Sequence, residues 1–241
     1  MTKPRVALVI PVLNEEATIG AVVRAASRAV VDEIIVVDGG SRDDTVRVAT
    51  EAGARTLVVR ERGYGRACHE GAVAALPGTE IVAFLDGDGS DDPALLPAVI
   101  APIVEDRADF VLGSRTRGVR EPGSMTALQV WSGRLIGLVL WARYGVRYTD
   151  MSPFRAIRRA ALTELGMREM TYGWNLEMQM RAAGAGLRVV EVPVATRRRA
   201  GGESKVSGSL RGTVKAGARI LATLARVAFE NSAPLGRGRR A

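Results

Sequence analysis

Short β-branched and aliphatic runs alternate with amphipathic segments through the first half of the chain. The runs Arg5–Ile10, Glu33–Val37, Thr56–Val59, Ile81–Leu85 and Phe110–Leu112 are of strand length and end in turn residues, so they read as buried strands. Between them, Glu16–Ala29, Asp43–Glu51, Gly65–Leu76 and Pro93–Val104 read as helices, with Asp92 before Pro93 as a helix-start signal. This alternation predicts an α/β fold, a doubly wound and largely parallel sheet flanked by helices. Such sheets bind ligands beyond the carboxyl ends of their strands. The second half is less regular: a long apolar helix is predicted over Ser124–Tyr144, a strand over Leu187–Glu191 and a last helix over Ser209–Phe229. The glycine-rich stretch Arg197–Gly208 reads as a loop before that helix. Residues 1–208 are expected to form the α/β domain, and 209–241 a basic amphipathic helix and tail attached to it.

Composition narrows the chemistry. The 241 residues suit one main core, and 47% hydrophobic with 25% charged residues excludes wholesale disorder. One cysteine, Cys68, rules out an internal disulfide and a cysteine zinc cage. The one histidine, His69, is its neighbour, and adjacent side chains point apart, so hydrolase triads are poor candidates. The apolar stretch Leu135–Ala142 is shorter than the roughly 20 residues that span a bilayer. The first residues lack a signal-peptide core, and a cytoplasmic chain is expected.

The net charge of +8 is unevenly placed: from Arg197 onward there are 11 basic and 2 acidic residues, whereas residues 1–196 are nearly balanced. An anionic partner fits this asymmetry. Nucleic acid does not, because the basic block holds a single aromatic, Phe229, and offers no base-stacking platform.

The strand ends carry the candidate chemistry. After the first strand comes Pro11-Val12-Leu13-Asn14-Glu15-Glu16, without the glycine pattern of a dinucleotide site, so NAD and FAD are not expected. Asn14 and Glu15 suit a base or ribose, although Asn14 also suits a helix cap. After the second strand comes Asp38-Gly39-Gly40-Ser41, an acidic residue placed for a nucleoside, or else a capped turn. After the fourth comes Asp86-Gly87-Asp88-Gly89-Ser90-Asp91-Asp92-Pro93. Asp86 and Asp88 would repel unless a divalent cation lies between them, and an all-oxygen site favours Mg²⁺ or Mn²⁺ completed by phosphate and water. An EF-hand is excluded by Asp91 and Pro97 at its sixth and twelfth positions. Asp91 and Asp92 read as a helix cap.

Taken in order, these motifs resemble the inverting family 2 glycosyltransferases of the GT-A fold, and within them the branch that glycosylates dolichyl or polyprenyl phosphate. The resemblance runs from residue 5 to about 205 and continues through Gly113-Ser114-Arg115, Ser152-Pro153-Phe154-Arg155, Trp174-Asn175-Leu176-Glu177, and Arg199 with Gly202-Glu203-Ser204-Lys205. Leu13, Gly39, Ser90 and Pro153 depart from its common pattern. A haloacid-dehalogenase reading accounts for Asp86 and Asp88 alone.

The resemblance implies transfer of a sugar from a nucleotide-diphosphate sugar, UDP- or GDP-linked, to a lipid phosphate. Pro11, Leu13, Glu15, Asp38, Asp86, Gly87 and Asp88 would bind the nucleotide sugar, with Asp86 and Asp88 on the metal. Arg115, Arg134, Arg199, Ser204 and Lys205 would meet donor or acceptor phosphate. Asp88, Arg115 and Glu177 would be catalytic, Glu177 serving as base for a hydroxyl acceptor or as a structural residue if the acceptor is a phosphate. Two readings fit the last helix, whose predicted stripe is Leu210, Val214, Gly217, Leu221, Leu224 and Ala228: peripheral contact with a membrane, or docking on the core. The segment around Trp131, Leu135, Leu138 and Trp141 fits lipid contact, a homodimer interface or core. Transfer to a soluble acceptor, and a catalytically silent nucleotide-sugar-binding protein, remain as alternatives.

Overall fold

The computed structural model describes residues 3–26, 30–199 and 210–230. In chain order these form β1 (Arg5–Val12), α1 (Ile19–Ala25), β2 (Glu33–Asp38), α2 (Thr45–Glu51), β3 (Arg55–Val58), α3 (Tyr64–Ala74) and β4 (Thr79–Phe84). A 3-10 turn (Pro93–Leu95) leads into α4 (Leu96–Val104), then β5 (Phe110–Ser114), α5 (Ala127–Tyr144), β6 (Arg155–Arg158), α6 (Arg159–Leu165), α7 (Trp174–Gly184), β7 (Val189–Pro193) and α8 (Leu210–Glu230).

The sheet order is β3-β2-β1-β4-β6-β5-β7. All neighbours run parallel except β6, which is antiparallel to both β4 and β5. The predicted α/β fold with a mostly parallel sheet is therefore the fold observed. Alternate residues of each strand feed two cores: on β1, Val6, Leu8 and Ile10 join Ile19, Val99 and Ile103, while Ala7 and Val9 face Cys68, Trp174 and Met178.

The sequence pattern misses β6, α6 and α7. The strand reads Arg155-Ala156-Ile157-Arg158, and its charged ends hide it, yet Arg155 is fully buried. Its guanidinium lies 5.8 Å from the centre of the Phe110 ring and donates to the carbonyls of Ser152 and Asn175. Boundaries shift elsewhere: α1 is shorter than the predicted 16–29, and β7 lies two residues beyond Leu187–Glu191. Helix α5 starts after Thr126, whose side chain accepts from Gln129 N–H in a capping box, and it ends at Gly145 in the left-handed conformation.

Helix α8 docks on α7. Its inner face carries Thr223 and Val227, both buried, whereas Leu221 and Phe229 are 66% and 80% exposed. The predicted stripe is thus partly rotated: Leu224 and Ala228 pack against the core, whereas Leu221 points outward, and Arg219 and Arg226 pair with carboxylates. The side chains of Leu210 and Val214 lie outside the described ones. No helix among the described residues is long and apolar enough to cross a membrane.

Candidate active site

The carboxyl ends of β1, β2, β4 and β5 share one edge of the sheet, and β6, running the other way, begins there. The turns after β1 and β2 are sewn together. Asn14, at φ 53°, donates its N–H to Ser41 Oγ at 2.8 Å, and its side-chain oxygen accepts from Arg42 N–H at 2.9 Å, so it bridges two turns instead of capping α1. The N–H of Glu15 donates to Thr45 Oγ1 at 2.8 Å. Asp38 is buried and binds the N–H groups of Gly40 and Ser41, and α2 starts after Asp44, not at Ser41 or Asp43. Pro11 lies buried within β1 opposite Val37, and Leu13 sits just beyond the strand, half-buried.

The turn after β4 closes over the same edge. Thr18 Oγ1 donates to the Gly87 carbonyl at 2.8 Å and ties this turn to the first. A Cβ on Gly87 would lie 2.6 Å from Val12, which explains a glycine between the aspartates on packing grounds. Asp88 is 3% exposed, and its Oδ1 accepts Ser90 N–H at 2.9 Å. Oδ1 of Asp86 is buried with no hydrogen-bond partner. Burial, with Asp88 and Asp91 close by, holds the Asp86 carboxyl well above the usual carboxylate range.

Asp92 caps the following turn as predicted, accepting from Ala94 N–H at 3.1 Å, but Asp91 does not. It is 2% exposed, neither carboxylate oxygen has a hydrogen-bond partner, and burial pushes its pKa up to about 7. Nothing in the local sequence separates it from Asp92.

Among the described residues, opposite charge comes from Arg115 and Arg199. Arg115, at the end of β5, forms a two-pronged pair with buried Asp150, Nε to Oδ2 and Nη2 to Oδ1, both at 2.8 Å. This pairing, working against burial, keeps Arg115 firmly charged within electrostatic reach of Asp91 and Asp86. Arg199 places Nε 2.7 Å from Asp88 Oδ2 and Nη1 3.9 Å from Glu15. The segment carrying it is fixed by Arg197 N–H on the Ser90 carbonyl and by an ion pair between Arg197 and Asp92. Arg198 binds Glu121 through its N–H and the Pro122 carbonyl through Nε. Arg197 and Arg198 therefore stitch loops together.

An all-oxygen donor set with a buried, unpartnered carboxylate oxygen on Asp86 fits a hard divalent cation. Among the described residues no three acidic, histidine or cysteine side chains converge as ligands, so phosphate and water oxygens would have to complete the shell.

Beside this cleft lies a cavity of about 530 Å³ between α5 and the segment before β6, lined by Thr116, Arg117, Arg134, Leu138, Trp141 and Arg147 among others. Arg134 lies over the ring of Trp131 at 5.6 Å. Arg117 and Arg147 were not singled out from the sequence; the alternation Arg115-x-Arg117 at a strand end was the available signal. Ser204 and Lys205 lie outside the described residues.

Glu177 sits apart from the aspartates' contacts. It is fully buried and accepts the N–H groups of Arg168 and Glu169 at 3.0 and 2.6 Å. It also pairs with Arg181 at 2.9 Å and Arg226 at 3.0 Å, which joins α7 to α8.

The comparisons agree with this architecture. Residues 7–166 match the profile of Glycosyl transferase family 2. An uncharacterized glycosyltransferase of Mycobacterium tuberculosis is 40% identical over 220 residues, 89% of this chain and 95% of that one. An undecaprenyl-phosphate mannosyltransferase of Micrococcus luteus is 30% identical over 224 residues, 86% of this chain and 90% of that one. The crystal structure of glucosyl-3-phosphoglycerate synthase from Mycobacterium tuberculosis with Mn²⁺, UDP and glucosyl-3-phosphoglycerate superposes with a TM-score of 0.76 at 25% identity, covering 94% of this chain and 80% of that one. With a family match over most of its sheet and relatives along nearly its whole length, the chain belongs to glycosyltransferase family 2.

Proposed function

We propose that the protein transfers a hexose from a nucleotide-diphosphate sugar to a polyprenyl phosphate at the surface of a membrane. The observation that carries the donor half is the pair Asp86 and Asp88 at the exit of β4, with an unpartnered oxygen on Asp86 and two arginines facing the acidic turn. Asp86 and Asp88 would hold Mg²⁺ or Mn²⁺, which when bound neutralises charge on the departing diphosphate. The sewn turns at Leu13–Glu15 and Asp38–Ser41 would position the nucleoside. Arg115, fixed by Asp150, and Arg199 would supply charge-assisted contacts to phosphate.

The acceptor half rests on the cavity beside α5. Arg117, Arg134 and Arg147 supply cations for a phosphate, and Leu138 and Trp141 supply an apolar wall. The cavity opens onto an outward stripe of α5 in which Leu128, Trp131, Leu135 and Leu138 are 57–67% exposed, and that helix carries arginines but no acidic residue. An apolar stripe edged by arginine suits the interface of an anionic bilayer, where a polyprenyl chain would lie. An acceptor phosphate is already ionised near neutral pH and needs orientation more than a base. Glu177 then acts as the structural tie between α7 and α8. Residues 1–208 constitute the catalytic unit, and α8 completes its core.

A second reading, transfer to a soluble phosphorylated acceptor, is favoured by the same arginine-lined cavity and by the structural similarity to a synthase of glucosyl-3-phosphoglycerate. The test is release of nucleoside diphosphate by purified protein with Mn²⁺ or Mg²⁺, a panel of UDP- and GDP-sugars, and polyprenyl phosphate present or absent. Release that needs metal, lipid phosphate and Asp88 is expected. Release driven by a soluble phosphate and not by lipid would move the assignment to the second reading. Metal-dependent donor binding without release for any acceptor would leave a binding protein.

A further inference from the structure

Asp86, Asp88 and Asp91 crowd one turn, and two cations that face them among the described residues, Arg115 and Arg199, are held in different ways. Arg115 is locked: Asp150 takes its side chain on two prongs and its main-chain N–H at 2.9 Å, and Asp150 is itself 3% exposed. Arg199 stands at the rim, its side chain a third exposed, and reaches Asp88 and Glu15 from the segment after β7.

The oxygen that Arg199 binds matters. Oδ1 of Asp88 is taken by Ser90 N–H, and Oδ2 is the oxygen held by Arg199 Nε at 2.7 Å. A small divalent cation binds a carboxylate oxygen at about 2.0–2.2 Å. A guanidinium on that same oxygen would both crowd the cation and repel it. Arg199 and the cation therefore compete for one atom.

We propose that Arg199 is the resident cation of the metal-free site and is exchanged for the divalent metal, swinging from Asp88 to the diphosphate that arrives with it. The inference rests on reading Asp86 and Asp88 as metal-holding residues. It adds a contribution from Arg199 to the coupling that a metal shell shared with the diphosphate already brings. Metal alone must evict a guanidinium and leave it without that carboxylate, whereas metal together with a nucleoside diphosphate gives the guanidinium a new anion. Each ligand should therefore strengthen the other, by equal factors. Arg115, clamped by Asp150, takes no part in the exchange.

The experiment measures free Mn²⁺ by electron paramagnetic resonance during titration of the full chain, with and without UDP, for wild type, Arg199→Gln, Arg199→Lys and Asp88→Asn. Without UDP, Arg199→Gln is expected to bind Mn²⁺ about fivefold more tightly than wild type, the scale of one partly exposed ion pair. Arg199→Lys should fall between them. UDP should tighten Mn²⁺ binding in wild type by a larger factor than in Arg199→Gln. Equal or weaker nucleotide-free Mn²⁺ binding in Arg199→Gln, with Asp88→Asn clearly impaired, would overturn the exchange and leave the metal reading standing. Mn²⁺ binding that is absent throughout, or indifferent to Asp88→Asn, would overturn the metal reading and the exchange with it. Circular dichroism of each variant checks that the fold is kept.

Discussion

Arg115 and Asp150 are 35 residues apart in sequence and meet in a planar two-pronged pair, with the main-chain N–H of Arg115 held by the same carboxylate. The pair joins the end of β5 to the segment that enters β6. Replacing Asp150 by Asn removes the counter-charge of a guanidinium that is 20% exposed, a loss of about 2–3 kcal/mol for a partly buried pair. Chemical denaturation should read that loss. In the protein that remains folded, turnover and metal-dependent nucleotide affinity should both fall, because the freed Arg115 turns toward Asp91 and Asp86. Arg115→Lys, which cannot make two prongs, should share the defect.

Glu177 separates structure from catalysis. Its carboxylate ties Arg181 and Arg226 together, so Glu177→Gln should lower stability by about 3 kcal/mol or more. At a temperature where the variant is folded, kcat and its pH profile should match wild type. A fall of kcat by orders of magnitude, with loss of the acidic limb of the profile, would identify a general base and defeat the structural role.

Asp91 gives the stability a pH dependence of known sign. Burial raises its pKa from 3.8 to about 7. As pH rises from about 4 to 7, the unfolded chain releases this proton while the folded chain retains it, so stability is lost across that window and stays low above it. The size is of order 3–4 kcal/mol for this residue. Asp91→Asn cannot ionise, so in the presence of a chelator its advantage in melting temperature over wild type should grow between pH 4 and pH 8. A constant difference across that range would show that Asp91 is not a buried titrating group.

The cavity beside α5 separates acceptor from donor. Arg134→Gln removes one charge-assisted contact to a phosphate and should raise KM for polyprenyl phosphate about tenfold, leaving KM for the nucleotide sugar unchanged. Leu135→Glu places a charge in the outward stripe and should reduce sedimentation with anionic vesicles without altering the rate on a short, soluble phosphate acceptor.

The sheet was legible because its parallel strands are continuous apolar runs, and each of the five predicted in the first half corresponds to an observed strand. β6 was not, since a strand whose core residue is Arg155 carries no hydrophobic signature until Phe110 and the carbonyls of Ser152 and Asn175 are in place around it. The acidic turn after β4 was read from spacing alone. Asp91 and Asp92 look alike in sequence, and only the direction of the chain at Pro93 sends one to a cap and the other into the interior. Arg115 was read without Asp150, whose partnership is a matter of tertiary distance. The rotation of α8 was hidden for a similar reason: Arg219 and Arg226 look like a solvated face until Glu169 and Glu177 are found beneath them.

The reversed direction of β6 has a consequence for how such a site can diversify. Residues 11–18, 38–45 and 86–92 build one wall after strands that leave the sheet, whereas residues 147–154 of the other wall lead into the strand that enters it, beside residues 114–118 at the exit of β5. The segment after β7 meets the first wall through the bridge between Asp91 and Thr196 and through Arg199 on Asp88. Recombination near residue 100 would exchange the second wall, with Arg115 and Arg199, as a unit while leaving the acidic turn after β4 unchanged.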